Sequence, residues 1–153
     1  MYKMLENGCI LYKEQCRFIC KASCLSLISL FYAIHREYYG MTIVPGGVFL
    51  TSINYWRNPD YSWRRTVDIF YVKTSLFFNI FVAYHTDRFY AYLSIISISI
   101  LFYLIGIEYY KRKMYWRSTY CHSMLHVIAN IANIVLYSGN IPNIQTIYNH
   151  YNN

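Results

Sequence analysis

The chain has 153 residues, of which 56% are hydrophobic and 14% charged, with 19 Tyr, 9 Phe and a formal net charge of +7. The length is that of one domain, and so low a charged fraction argues against a soluble one, where about a quarter of residues are charged. The cations sit in short clusters between apolar runs, so the basic balance reads as membrane topology and no nucleic-acid partner is expected.

Residues 1–17 are mixed and polar, with Lys3, Glu6, Lys13, Glu14 and Arg17, and read as a cytoplasmic N-terminal segment. The first apolar run, 18–34, has no small-residue cleavage site after it and is read as a helix, not a signal peptide. The second, 41–56, is short and carries Pro45-Gly46-Gly47 near its start, which would loosen or kink a transmembrane helix. A turn-rich basic loop from Arg57 to Arg65 follows. The third and fourth runs, 66–84 and 89–110, are separated only by a tight turn at Thr86-Asp87-Arg88. Lys111 to Arg117 is a strongly basic loop, and the fifth run is 119–137. The tail, 138–153, is Asn-rich and uncharged apart from His150.

Together these runs predict an all-α integral membrane bundle of about five transmembrane helices. Charge supports the odd number. Eleven Lys and Arg fall before or at the start of span one, between spans two and three, or between four and five; Arg36 and Arg88 fall on the opposite side, and Lys73 lies inside span three. That asymmetry puts the N-terminus in the cytoplasm and the C-terminus in a lumen or outside the cell. Trp56, Tyr61, Trp63, Tyr115 and Trp116 flank span ends as an interfacial belt, and the nearby cations would attract anionic lipid headgroups. Cys16, Cys20 and Cys24 repeat at helical spacing and read as small packing residues, with palmitoylation close to the cytoplasmic face as the alternative; nothing suggests a disulfide framework.

The polar residues inside the spans are the functional candidates, because a polar group at membrane depth must face protein or a water-filled cavity. His122 and His126 are four residues apart, so both imidazoles leave the same face of span five, and Asn130 and Asn133 extend that stripe. Asp68 opens a second stripe, with Ser75 and Asn79, on span three. At about 1.5 Å per residue, Asp68 lies roughly 4–5 Å into its span from Arg65, Ser52 roughly 7–8 Å from Arg57, and the two histidines roughly 7 and 13 Å from Arg117. Four polar groups from three helices therefore share the cytoplasmic leaflet. Two imidazoles plus the Asp68 carboxylate can hold zinc with water in the open position, and such a water loses its proton near neutral pH. The competing reading is a set of interhelical hydrogen bonds with no metal.

The order Ser52-Ile-Asn-Tyr-Trp56, then Asp68, then His122-Ser-Met-Leu-His126 resembles the superfamily of alkaline ceramidases, progestin and adiponectin receptors, and the membrane proteins that remodel GPI-anchor lipids. The resemblance implies a zinc site of three His, an Asp working with the zinc water, and hydrolysis of a lipid amide or ester. It would make Asp68 and Ser52 catalytic and His122, His126 and Asp68 the metal ligands, with membrane lipids as partners. It covers residues 45–72 and 118–137, and the chain departs from the pattern twice. Trp56 stands four residues after Ser52, where the family has His, and five spans replace seven. Those departures favour a non-catalytic relative acting through interactions in the bilayer over a zinc-dependent hydrolase, with a transporter or proton relay third.

Overall fold

The computed structural model describes residues 10–142. The first half of the N-terminal segment, with Lys3 and Glu6, and the tail from residue 143 onward lie outside the described residues. Within them the chain is all helix: α1 (Lys13–Ser23), α2 (Ser26–His35), a 3₁₀ turn (Tyr39–Thr42), α3 (Ile43–Trp56), α4 (Trp63–Tyr84), α5 (Phe89–Lys111) and α6 (Tyr115–Ser138). α1 with α2, α4 and α5 are each long and apolar enough to cross a membrane. α3 has 14 residues and is about 21 Å long. α6 has 24, but its polar stripe leaves it outside that group.

The surface is inside out relative to a soluble domain. Phe70, Phe77 and Phe81 of α4, and Leu101 and Leu104 of α5, are exposed. Ser29, Ser52, Asp68, Asn79, Ser99, His126 and Asn130 are buried. In lipid, apolar surface gains nothing by going inside, whereas polar side chains do, by bonding one another.

The first apolar run is broken. At Cys24 and Leu25 the ladder tightens to i→i+3 bonds, Leu25 N donating to Ala22 O (3.0 Å) and Ile28 N to Leu25 O (2.9 Å). Ser23 Oγ donates to Ile19 O at 3.0 Å and Cys24 Sγ to Cys20 O at 3.3 Å. Side chains that bond back to the carbonyl four residues earlier bend helices, which divides this segment into α1 and α2. Pro45, expected to kink the second run, falls at the third position of α3. A first-turn N–H has no intrahelical partner to lose, so the proline fits the start of the helix, where the 3₁₀ turn gives way to α3.

Two non-glycine residues end helices in the left-handed conformation, Glu37 and Lys113, each at φ 60°. Tyr38 N bonds Ala33 O and Glu37 N bonds Ile34 O, both at 2.9 Å; Met114 N bonds Tyr109 O and Lys113 N bonds Tyr110 O at 2.9 and 3.0 Å. These are paired Schellman closures, and the second turns α5 straight back into α6. That hairpin is the most extensive helix pairing. Gly106 allows it: a Cβ there would lie 3.1 Å from Cys121 Cβ. α6 also packs on α1 and α2, α3 packs on α1, α2 and α4, and α4 touches α5 more lightly.

Candidate functional site

Asp68 sits one turn into α4, held by the loop that joins α3 to α4. In that loop Ser62 N donates to Asp60 Oδ1 (3.0 Å), and Arg64 Nη2 reaches both Asp60 Oδ2 (2.8 Å) and Asn58 O (2.9 Å). Ser62, then Arg64, hold the Asp60 carboxyl below its ordinary range. The loop fixes the register in which α4 runs back along α3. The result is a double hydrogen bond to one carboxylate oxygen: Ser52 Oγ at 2.8 Å and Thr51 Oγ1 at 2.9 Å both donate to Asp68 Oδ1. Asp68 is 8% exposed and Ser52 1%. The Ser52–Asp68 proximity expected from sequence is therefore present. Thr51 was not singled out there; its adjacency to Ser52, one residue round the same helix, was the available signal.

The histidines have different surroundings. His122 is flanked by rings: Trp56 at 4.8 Å between centroids, His126 at 5.2 Å and Tyr103 at 6.4 Å. His126 turns the other way, its Nε2 3.3 Å from Ser23 Oγ at the α1–α2 break. Ser23 Oγ also lies 3.0 Å from Ile19 O, and the direction of the Ser23–His126 bond follows the histidine tautomer. One turn on, Ser29 Oγ donates to Asn130 Oδ1 at 2.7 Å while Asn130 Nδ2 donates to His126 O at 2.9 Å. Further along, Asn79 Nδ2 of α4 donates to Asn133 Oδ1 at 2.9 Å, and Ser99 Oγ of α5 donates to Leu125 O at 3.2 Å. The polar stripe of α6 is thus a seam that ties it to α1, α2, α4 and α5. Ser23, Ser26 and Ser29 recur at three-residue spacing in the first run, a helical stripe that would have announced its partner surface.

Asp68 and His122 both line a cavity of about 130 Å³ whose walls also include Trp56, Arg65, Tyr103 and Gly106. His126 is not among its lining residues. Trp56 Nε1 is buried there without a hydrogen-bond partner.

These residues do not make a three-ligand centre. Among the described residues no three His, Cys, Asp or Glu side chains come together in a way that could hold a metal ion. Asp68 spends one oxygen on two hydroxyls, His126 Nε2 is engaged with Ser23, and the indole of Trp56 lies against His122. What the arrangement does chemically is satisfy buried polar groups pairwise across helices. No protein-family model matches the chain, and neither a curated protein nor a solved structure does.

Proposed function

We propose that the chain is a five-span, non-catalytic membrane protein, a divergent relative of the zinc-dependent membrane lipid hydrolases that acts through interactions in the bilayer. The observation behind this reading is the engagement of Asp68 by Thr51 and Ser52 and of His126 by Ser23. Groups committed to neighbouring helices are interhelical ties. Five spans are favoured by length: the 3₁₀ turn and α3 together cover about 29 Å, close to the roughly 30 Å hydrocarbon core, and α6 covers about 36 Å. The charge asymmetry then sets the N-terminus in the cytoplasm and the C-terminus on the far side.

A double-mutant cycle between Ser23 and His126, read as thermal unfolding in detergent with and without a chelator, tests the reading. The expected result is favourable coupling of roughly 0.6–1.7 kcal/mol and no response to the chelator. A chelator-induced loss of stability that vanishes in His126→Ala would contradict it. The second reading, a zinc-dependent hydrolase of a lipid amide or ester, draws on one observation, that Asp68 and His122 share a cavity. It requires zinc-dependent turnover that is lost in Asp68→Asn.

A further inference from the structure

α4 has two faces. Asp68, Ser75, Asn79 and Val82 point into the bundle and are buried. The opposite face carries Phe70, Lys73, Phe77 and Phe81, all exposed, at the three- and four-residue spacing of one helical stripe. Lys73 is ten residues from Trp63 and eleven from Tyr84, the two ends of the helix, so it lies about 15 Å from each. That is the midplane of a roughly 30 Å hydrocarbon layer. No hydrogen bond or ion pair reaches its ammonium among the described residues. A four-carbon stem spans less than half the distance to either interface, so snorkelling does not bring the charge to water. Charged groups at that depth are expensive and are normally paired.

We propose that the Lys73 face of α4 docks a transmembrane helix of another protein that carries an Asp or Glu at mid-span. Charge complementarity selects this occupant over a second copy of the chain. A two-fold contact through this face would set Lys73 beside Lys73, and the chain has no acid to offer at that depth. Asp68 is buried against Thr51 and Ser52, and Glu108 pairs with Arg112 and Lys111 at the end of α5. Glu14 opens α1. Glu37, Asp60 and Asp87 lie in connections between helices, and Glu6 precedes the first apolar run. Phe70 and Phe77, 70% and 72% exposed, flank the ammonium and would pack on small or aliphatic residues either side of the partner's carboxylate.

The test uses the full chain in neutral phosphatidylcholine vesicles, labelled for energy transfer to polyleucine transmembrane peptides with Glu, Gln, Lys or Leu at the centre. The expected result is association of the Glu peptide roughly tenfold above the Leu peptide, lost in Lys73→Met, kept in Lys73→Arg, and transferred to the Lys peptide in Lys73→Glu. Lys73 points away from the core, so none of these changes disturbs packing; retained thermal unfolding of each variant checks this. Equal association of all four peptides, no association of any, or binding of the Glu peptide that survives Lys73→Met would overturn the proposal. So would pairing between labelled copies of the chain that Lys73→Met abolishes.

Discussion

Gly47→Ala should separate α3 from α4, and its neighbour Gly46→Ala should not. A Cβ built on Gly47 falls on the Tyr71 ring, against Cζ and the hydroxyl oxygen. Carbon atoms pack comfortably at about 3.5–4.0 Å, so the ring or the helix must retreat by well over an ångström. The ring is not free to do so, because Tyr71 Oη donates to Ile43 O at 2.6 Å, across the α3–α4 contact. Overpacking costs about 1–3 kcal/mol and loss of that hydrogen bond about 1 kcal/mol. The better helix propensity of Ala returns about 1 kcal/mol, leaving a net loss of about 1–3 kcal/mol. At Gly46 the nearest atom to a new Cβ is Leu30 Cδ1 at 3.6 Å, ordinary contact, so the propensity gain stands and Gly46→Ala is neutral or stabilising. Thermal unfolding in detergent reads both, with Gly47→Ala combined with Tyr71→Ala as the rescue. Moving α3 also draws Thr51 and Ser52 away from Asp68, so a Cys pair across α3 and α4 should cross-link more slowly in Gly47→Ala. Wild-type stability in Gly47→Ala, or no recovery in the double variant, would show that Gly47 is not the close-approach point of α3 and α4.

Asp68→Ala leaves the buried Ser52 hydroxyl without its acceptor, while Thr51 keeps Val48 O, and should cost about 1–3 kcal/mol; Asp68→Asn keeps an acceptor oxygen and should cost less, read by the same unfolding assay. Asn133→Ala strips Asn79 of its bond on the amide nitrogen, where Oδ1 is already without a partner, and should destabilise more than Asn133→Gln. Gly139→Ala would push a Cβ to 2.5 Å from Arg88 Cγ and 2.6 Å from Asp87 Oδ1, prising the end of α6 from the α4–α5 turn, so proteolysis after residue 138 should accelerate. The Asp60 carboxyl, lowered chiefly by Ser62, stabilises the α3–α4 loop above the unfolded carboxylate value of about 3.9. That contribution should fade as pH falls through the still lower folded value, and Asp60→Asn should remove this acid-range dependence in hydrogen exchange of the loop.

The helical segments were legible because apolar runs bounded by charged turns have few other interpretations. Four of the five expected runs are each a single helix whose ends lie within four residues of those expected: α3, α4, α5 and α6. Length and apolarity alone qualify three segments as spans. The break between α1 and α2 was not legible, since Ser23 and Cys24 bend the helix only by turning back onto their own carbonyls. The effect of Pro45 depends on where the helix starts, and the 3₁₀ turn at Tyr39–Thr42 sets that start. Ser52 with Asp68 could be read because a short loop forces α3 and α4 into antiparallel contact. The direction of His126 could not, since the order of helices around a bundle is absent from a sequence. α6 lies against α1 and α2, so His126 meets Ser23, while only His122 shares the cavity with Asp68. Trp56 reads as a missing ligand; in the folded chain it is a cavity wall in edge contact with His122.

Whether the polar residues tie helices together without holding a metal is decided by the zinc content of the purified full chain. Zinc should stay far below one ion per chain, equal in wild type and His126→Ala. One zinc per wild-type chain, lost in His126→Ala and in Asp68→Asn, would contradict this expectation.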